Sequence, residues 1–426
     1  MGRGAAVHNS RYLGTLRVPG DKAISHRAAI LGALAAGPTV IRDFSMAGDC
    51  RSTLEVLAAL GVRIIEADGT VEIRGGGAEL LGPPAGPLQC GRSATTMRLV
   101  AGVLAACPFP VRLTGDPQLL ARPMDRIVGP LRRMGASLEW QPGRELEISG
   151  GALTGIDHHQ EVPSAQVKSC ILLAGLHAKG RTTVIEAVPT RDHTERLIRA
   201  MGGSVRREQT SSGLAVSVLP SSLRPIQLDV PGDPSSAAVI ATAVALVPGS
   251  EVVIGGVGLN PTRTGFFRAL ERMGAHVELE MENDEPEPVG SIRIRHGELQ
   301  ATSVGADDVP SMIDELLLLA LIATQAEGAT EVRGASDLRR KESDRIDGVV
   351  QGLRGLGADL EEHPDGFLVR GPTRLRGGRC DARRDHRLAM TFSLAGLAAS
   401  GPVDVEGMEY VDDSFPGFQA AMEALR

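Results

Sequence analysis

The chain has 426 residues, more than one hydrophobic core usually organises, and this length predicts two or more domains. Its net charge of −7 and aromatic content of 3% exclude a general nucleic-acid-binding surface, because such surfaces are basic and stack bases on aromatic rings. No apolar run reaches membrane-spanning length and no signal-type segment opens the chain, so we expect no membrane partner.

A repeated unit runs along the chain. Six segments each combine a polar start, a helix of Ala and Leu, a Gly or Pro turn and a short β-branched strand; they begin at residues 21, 91, 164, 233, 311 and 385. A second phrase, a helix that ends in glycine and is followed by a strand, comes after five of them, at Gly61, Gly135, Gly202, Gly274 and Gly357. The spacing is close to one sixth of the chain length and predicts six βαβαββ-like units.

Six units in two domains suggest three units per domain. The fold class is therefore α/β, with residues 21–228 as the first domain and residues 1–20 with 229–426 as the second. Helices that are apolar nearly all round should be buried, with the sheets outside them. The sixth unit stops inside its second helix, and we expect the N-terminal strand at 10–20 to complete it.

The starts of equivalent helices should point the same way within a domain. Each start offers unpaired N–H groups and a partial positive charge, so two facing domains would direct them at one cleft. Together with four basic residues these starts predict a receptor for two anions. The basic residues are Lys22, Arg27, Arg122 and Arg387. For Asp233, Ser235 and Asp385, a helix cap and a ligand contact remain equal alternatives.

The segment "DLRRKESDRIDG" (337–348) mixes acids and bases, which is typical of a solvated helix face. Within a helix, Lys341 and Arg345 would share one face because they are four residues apart. The unit's first helix begins near Asp314. A carboxylate pair of Asp314 and Glu342 among cations suits proton transfer between two anionic substrates, so we favour a functional interpretation.

Eight motifs follow one another between about residue 12 and residue 420: "VPGDKAISHR", "SATTMRL", "LTGDPQLLARPM", "PSAQVKS", "TRDHTERL", "LRRKESDRI", "DHRLAM" and "SFPGF". In wording and in order they resemble the motifs of the 5-enolpyruvylshikimate-3-phosphate (EPSP) synthases, within the enolpyruvyl transferases. The resemblance implies an enolpyruvyl-transferase-like fold with the active site in the cleft between two three-repeat domains. It also implies transfer of the enolpyruvyl (carboxyvinyl) group of phosphoenolpyruvate to the 5-hydroxyl of shikimate-3-phosphate.

The resemblance further implies roles for single residues. Lys22 matches a lysine between both substrates, Asp314 the acid/base at the acceptor hydroxyl, and Glu342 the acid near the vinyl carbon. The positions implied for shikimate-3-phosphate are Lys22, Ala23, Arg27, Ser164, Ala165, Gln166, Arg191, Asp314, Asp337 and Lys341. The positions implied for phosphoenolpyruvate are Lys22, Arg92, Ala94, Arg122, Gln166, Arg345, His386 and Arg387.

The chain departs from the family pattern at four positions. Ala23 stands where a serine is usual, Arg92 replaces an asparagine, and Asp413 replaces a lysine of some members. Arg92 either offers a new charge-assisted contact or turns outward. Ala94 replaces a glycine, a change that the family associates with tolerance to glyphosate, an inhibitor longer than phosphoenolpyruvate. We therefore expect weak inhibition by glyphosate.

Two other functions are compatible with these motifs. A sister carboxyvinyltransferase would act on another hydroxylated anion, such as a nucleotide sugar, and a catalytically dead relative would only bind. We expect no metal and no cofactor, and family likeness suggests a monomer. The five cysteines are dispersed without CxxC spacing, which indicates a reducing cytoplasm and neither a zinc site nor a disulfide framework.

Overall fold

The computed structural model describes residues 11–77, 79 and 81–426. Its chain forms two compact units. The first domain is Gly20–Val230, and the second domain combines the described residues up to Pro19 with Pro231–Arg426. Each domain has a hydrophobic core of its own, built mostly from aliphatic side chains.

The elements are numbered in chain order. The second domain begins with strand β1 (Leu13–Leu16). The helices of the first domain are α1 (Lys22–Leu34), α2 (Gly48–Ala59), α3 (Ala94–Leu104), α4 (Pro117–Leu120), α5 (Asp125–Met134), α6 (Ala165–Gly175) and α7 (His193–Ala200). Its strands are β2 (Ala36–Arg42), β3 (Arg63–Ala67), β4 (Thr70–Gly76), β5 (Leu88–Gln89), β6 (Pro110–Thr114), β7 (Ser137–Glu139), β8 (Leu146–Ser149), β9 (Asp157–His159), β10 (Thr182–Glu186), β11 (Val205–Thr210), β12 (Gly213–Val218) and β13 (Gln227–Asp229).

The second domain continues the numbering. Its helices are α8 (Pro234–Leu246), α9 (Gly265–Arg272), α10 (Leu316–Ala323), α11 (Arg345–Gly355), α12 (His386–Ala395) and α13 (Phe418–Glu423). Its further strands are β14 (Glu251–Gly258), β15 (His276–Asn283), β16 (Val289–Arg295), β17 (Ser303–Val304), β18 (Gly328–Val332), β19 (Asp359–His363), β20 (Gly366–Gly371), β21 (Gly378–Asp381) and β22 (Val403–Glu406). Short 3₁₀ helices lie at Val309–Ser311, Ile313–Glu315, Ser336–Arg340 and Met408–Asp413.

Five of the six repeats form four-stranded sheets with one topology. A leading strand pairs in parallel with the strand after the repeat's first helix, and an antiparallel hairpin completes the sheet. The orders are β13-β2-β4-β3, β5-β6-β8-β7 and β9-β10-β12-β11 in the first domain, and β1-β14-β16-β15 and β17-β18-β20-β19 in the second. The five glycines of the helix–glycine–strand phrase all have φ between +82° and +114°, the left-handed conformation of a helix C-terminal glycine.

The N-terminal strand completes a different repeat from the one predicted. Strand β1 pairs in parallel with β14, with Leu13 opposite Glu251, and so leads the fourth repeat instead of the sixth. The sixth repeat has only the two-stranded sheet β21-β22 in the described chain. The ends of the chain still meet, since the Leu13 amide donates to the Leu425 carbonyl over 2.8 Å.

The first helix of each repeat is the buried one. All residues of α8 and α10 are buried, because beyond the first turn of α8 their side chains are Ala, Val, Leu and Ile on every side, with Thr242 as the one exception. Outer strands such as β11 and β15 are exposed along most of their length. The starts of the buried helices carry the residues whose functions the sequence predicted.

Candidate active-site residues in each domain

The start of α1 carries a lysine where the helix dipole disfavours one. The Asp21 carboxylate caps the helix by accepting hydrogen bonds from the amides of Ala23, at 2.6 Å, and Ile24, at 3.1 Å. Lys22 Nζ lies 2.7 Å from Asp49 Oδ2, and both side chains are mostly buried. The anion that a basic helix start requires is therefore supplied partly by Asp49 of α2, which the sequence interpretation did not single out.

Arg27 is buried and its guanidinium is fixed from three elements. Its Nε donates to Thr194 Oγ1 at 2.8 Å, Nη1 to the Ala23 carbonyl at 2.8 Å, and Nη2 to Ser169 Oγ at 2.9 Å. The Ser169 and Thr194 hydroxyls are 2.7 Å apart, and Ser169 also donates to the Ala165 carbonyl at 2.6 Å. Ala23 contacts Arg27 through its backbone carbonyl. The absence of a serine hydroxyl at position 23 therefore does not weaken the hydrogen bonds that hold Arg27.

The start of α6 is tied to α3. Ser164 is the N-cap of α6, its hydroxyl accepting from the Val167 amide. Gln166 Oε1 accepts from Arg98 Nη1 at 2.6 Å, and Gln166 Nε2 donates to Thr95 Oγ1 at 2.9 Å. These bonds fix which end of the Gln166 amide faces each neighbour.

The two helices approach closely because α3 has a glycine at the crossing. A Cβ atom on Gly102 would lie 2.2 Å from the carbonyl oxygen of Cys170 on α6. No side chain fits there without a backbone shift. Gly102 therefore sets the helix separation at which Arg98 reaches Gln166.

The remaining predicted residues of the first domain lie at other helix starts and ends. Arg92 is half-buried and donates from Nη2 to Gln118 Oε1 at 2.9 Å, so it does not turn outward into solvent. Ala94 is the first residue of α3 and is 2% exposed. Arg122 follows α4 and is buried, and the half-buried Arg191 comes just before α7.

In the second domain, Arg345 collects three carboxylates. Its Nε donates to Asp385 Oδ2 at 2.8 Å and its Nη2 to Asp385 Oδ1 at 3.2 Å. Its Nη1 donates to Asp314 Oδ1 at 3.2 Å and its Nη2 to Glu342 Oε2 at 2.7 Å. The predicted carboxylate pair of Asp314 and Glu342 is thus brought together on one guanidinium.

Burial lowers the pKa of the Arg345 guanidinium, but the charges of Asp385, Glu342 and Asp314 raise it by more, so the net shift is upward. The arginine therefore stays charged and neutralises the carboxylates around it. Its bonds to protein carboxylates occupy most of its donors. Arg345 is built to orient acidic side chains, in addition to any contact with a bound anion.

The predicted helical face of Lys341 and Arg345 is wrong. Lys341 follows the 3₁₀ helix Ser336–Arg340, and α11 begins only at Arg345. The reason is Asp344, whose carboxylate accepts from the Asp347 amide at 3.0 Å and caps α11 at that point. Lys341 Nζ nevertheless lies 3.4 Å from Asp314 Oδ1, the atom that Arg345 also contacts.

Helix α12 begins beside this cluster. Its N-cap Asp385 accepts from the Arg387 amide at 2.9 Å, while His386, the first helical residue, is buried. Arg387 Nη1 lies 4.0 Å from Oε1 of the buried Glu315. Arg387 Nε is buried and has no hydrogen bond within the described residues. Glu315 thus holds the Arg387 guanidinium loosely, and the Nε–H group of Arg387 can still donate a hydrogen bond to a ligand.

The alternatives for Asp233, Ser235 and Asp385 can now be compared with the structure. Asp233 and Asp385 are both N-caps, and Asp233 accepts from the Ser235 amide at 2.8 Å. Asp233 also accepts from Arg263 Nη2 at 2.9 Å. The Ser235 hydroxyl donates to Glu315, the residue that faces Arg387. All three therefore have structural roles around the buried charges, and the half-buried Asp337 lies in the 3₁₀ helix Ser336–Arg340.

Within residues 11–77, 79 and 81–426, no group of His, Cys, Asp and Glu side chains could hold a metal ion. In the same part of the chain, no helix is long and apolar enough to cross a membrane. All five cysteines are buried and free.

Comparison with known proteins agrees with this geometry. The sequence profile of EPSP synthase (3-phosphoshikimate 1-carboxyvinyltransferase) matches residues 8–422. The chain belongs to the EPSP synthase family. It is 48% identical over 420 residues to a 3-phosphoshikimate 1-carboxyvinyltransferase of Sulfurihydrogenibium sp. (strain YO3AOP1), covering 97% of each chain.

Solved structures share the fold. The EPSP synthase of Acinetobacter baumannii superposes with a TM-score of 0.85 at 40% identity, over 98% of this chain and 96% of the other. The enolpyruvyl transferase NikO of Streptomyces tendae has the same fold, with a TM-score of 0.78 at 18% identity over 98% and 95% of the two chains. The predicted family and the two-domain enolpyruvyl-transferase-like fold are confirmed.

Proposed function

We propose that this chain transfers the enolpyruvyl group of phosphoenolpyruvate to the 5-hydroxyl of shikimate-3-phosphate and releases inorganic phosphate. Membership of the EPSP synthase family supports the reaction. The observation that carries the mechanism is the shared guanidinium of Arg345, which contacts Asp314 at 3.2 Å and Glu342 at 2.7 Å. Two carboxylates held by one cation can take and return protons within one site.

The first domain would bind the acceptor. Arg27, fixed through Ser169 and Thr194, suits a planar carboxylate. The start of α6, with Ser164, Ala165 and Gln166, suits the 3-phosphate because a helix start favours anions. The further acceptor contacts in this proposal are Lys22, Ala23, Arg191, Asp314, Asp337 and Lys341.

Phosphoenolpyruvate would be held by basic side chains from both domains. Arg122 and Arg387 are buried cations suited to its phosphate and carboxylate. Arg345 orients the acids and adds positive charge. The further contacts in this proposal are Lys22, Arg92, Ala94, Gln166 and His386.

The reaction would proceed by addition and elimination. Glu342 donates a proton to the methylene carbon of phosphoenolpyruvate, and Asp314 accepts the proton of the attacking 5-hydroxyl as the C2–O bond forms. The bond from C2 to the phosphate oxygen then breaks, phosphate leaves with the electron pair, and Glu342 takes a proton back from the new methyl group. Asp314 returns its proton to the departing phosphate. Holding both anions in register supplies much of the rate, about 7–11 kcal/mol in a well-aligned case.

The test is phosphate release from phosphoenolpyruvate with shikimate-3-phosphate, with a nucleotide sugar, or with no acceptor. Release only with shikimate-3-phosphate supports the proposal. Release with the nucleotide sugar would identify the sister reaction, and no release with any acceptor would identify a binding protein.

A matched pair of variants tests the acid. Glu342→Gln should lower kcat by about 10²–10⁴-fold, the usual contribution of a positioned acid or base. Glu362→Gln is the control, because Glu362 contacts Arg339 of the same segment at 2.9 Å and has no place in the proposed site. Equal losses in the two variants would contradict the assignment of Glu342.

The compartment and assembly are also part of the proposal. Five buried, free cysteines suit the reducing cytoplasm. The family likeness suggests a monomer that works without cofactor, and Ala94 suggests weak inhibition by glyphosate.

A further inference from the structure

A charged cluster is enclosed in the first domain, away from solvent. Lys168 Nζ of α6 lies 2.8 Å from Glu186 Oε2, at the end of β10, and 2.8 Å from Glu195 Oε1, in the first turn of α7. It also donates to the Thr190 carbonyl at 3.3 Å. The three charged side chains are at most 1% exposed.

Stability of the fold does not explain why this cluster consists of charged side chains. Two carboxylates surround one ammonium group, and removing such charges from water costs several kcal/mol per ion. Burial raises the pKa of Glu195 and outweighs the opposing effect of Lys168. A hydrophobic cluster of the same volume would be at least as stable, so the charges need another explanation.

The location of the cluster supplies one. Lys168 is followed directly by Ser169, and Glu195 directly follows Thr194. Ser169 and Thr194 are the two hydroxyl residues that accept hydrogen bonds from Arg27, at 2.9 and 2.8 Å. The ion pair thus joins α6 to α7 one residue away from both contacts.

The Arg27 guanidinium depends on the spacing of these helices. Its Nε and Nη2 point to different helices, and the two hydroxyls stay 2.7 Å apart only if α6 and α7 keep their separation. Glu186 and the Thr190 carbonyl anchor the same lysine to β10 and the loop after it, so the cluster resists sliding of either helix.

We propose that Lys168, Glu186 and Glu195 are positioning residues that hold Arg27 in the orientation required for the carboxylate of the acceptor. This inference rests on the proposed function, since it assigns the cluster to the acceptor side of that reaction. The cluster sets the affinity for shikimate-3-phosphate and leaves phosphoenolpyruvate binding alone.

The test replaces Glu195 in two ways. Glu195→Met keeps the length of the side chain but removes the link to Lys168, while Lys168 retains Glu186. It should raise the KM for shikimate-3-phosphate about tenfold and change kcat and the KM for phosphoenolpyruvate less than about twofold. Glu195→Gln keeps an oxygen within reach of Lys168 and should restore the KM for shikimate-3-phosphate to within about threefold of the unsubstituted chain.

A double-mutant cycle with Arg27→Lys shows whether the effect passes through the arginine. If it does, Glu195→Met should raise the KM for shikimate-3-phosphate less than about twofold further in the Arg27→Lys background. A tenfold further rise, or an equal rise in both KM values, would overturn the inference. Where Glu195→Met does not fold, Glu186→Gln replaces it, with an expected rise of about threefold on the acceptor side only.

A stability control comes from another repeat. Ile148→Val in β8 removes one buried methyl group and should lower the urea unfolding midpoint without moving either KM. A rise of the acceptor KM in this variant would show a general loss of stability and overturn the inference. Failure of the proposed function is distinct, because the unsubstituted chain would then release no phosphate with shikimate-3-phosphate.

Discussion

Arg345 and Asp385 form a bidentate ion pair, with Nε 2.8 Å from Oδ2 and Nη2 3.2 Å from Oδ1. The same carboxylate caps α12 by accepting from the Arg387 amide at 2.9 Å, and it accepts from the Ser343 hydroxyl at 2.9 Å. One fully buried aspartate therefore orients the cation that gathers Asp314 and Glu342 and also fixes the start of the helix that carries Arg387.

Asp385→Asn separates these two tasks. Asparagine is as good an N-cap as aspartate, so α12 should keep its start, while Arg345 loses the charge of its bidentate partner. A lost hydrogen bond to a charged group costs about 1.5–3 kcal/mol, and kcat/KM should fall about ten- to hundred-fold if Arg345 shifts. Steady-state kinetics together with the helical circular dichroism signal measure both tasks. An unchanged kcat/KM would mean that Arg345 does not depend on Asp385.

Gly102→Ala should push α3 away from α6. The new methyl group would lie 2.2 Å from the Cys170 carbonyl oxygen, and overpacking of this kind costs about 1–3 kcal/mol. The bond between Arg98 and Gln166, at 2.6 Å, should weaken as well. Urea unfolding should show a lower midpoint, and the KM for shikimate-3-phosphate should rise.

The control for this change is Gly129→Ala in α5. A Cβ atom on Gly129 meets nothing within 4 Å, and alanine is about 1 kcal/mol more favourable than glycine inside a helix. Its unfolding midpoint should therefore rise. If Gly102→Ala also raised the midpoint, the close approach of α3 and α6 would not be the constraint described here.

The repeats were predictable from sequence because their signals are local. A polar cap, an apolar helix and a glycine with positive φ recur at each unit, and the structure has them there. The pairing of β1 with β14 was not predictable in this way, because it joins segments that are more than 230 residues apart. The start of α11 was misplaced because Asp344 ends one local structure and caps the next, which charge spacing does not reveal.

Some residues of the candidate site were also predictable from the sequence, and others were not. The basic residues at helix starts were found because positive charges there oppose the helix dipole, and the acids were found because they stand among cations. Two of their partners were missed. Ser169 lies in another repeat than Arg27, within an apolar run, and Asp49 lies 27 residues after Lys22, in the second helix of the same repeat. Only the folded chain brings Ser169 and Thr194 together around Arg27. The motif "TRDHTERL" contains Thr194, followed directly by an acidic residue and an arginine. This sequence was the one available sign that Thr194 has a role in the site.

Ala94→Gly tests the prediction on glyphosate. Ala94 is buried at the start of α3, where the departure from the family's glycine adds a methyl group. Removing that methyl should strengthen inhibition by the longer ligand, with a lower inhibition constant, while the KM for phosphoenolpyruvate stays within about twofold. Inhibition kinetics against phosphoenolpyruvate measure both constants. An inhibition constant that does not change would rule out the steric explanation.

His26 should make the chain less stable in mild acid. The ring is fully buried beside α2, with Nδ1 2.6 Å from Thr53 Oγ1. Burial, then the charges of Lys22 and Arg27, lower its pKa well below 6.5, against an opposing effect of Asp21. Below pH 6.5 the His26 ring therefore binds a proton in the unfolded chain but stays neutral in the folded chain. The free energy of unfolding falls as the pH falls.

The measurement is the urea midpoint between pH 8 and pH 5. His26→Gln should make stability depend less on pH below pH 6.5, because glutamine does not titrate. The slope of the unfolding free energy with pH should fall by up to about 1.4 kcal/mol per pH unit, the effect of one proton. Thr53→Val removes the hydrogen bond to Nδ1 but leaves the buried ring, so it should lower stability at every pH and keep the slope. A slope that is the same in His26→Gln and the unsubstituted chain would show that the buried ring accepts its proton in the folded state.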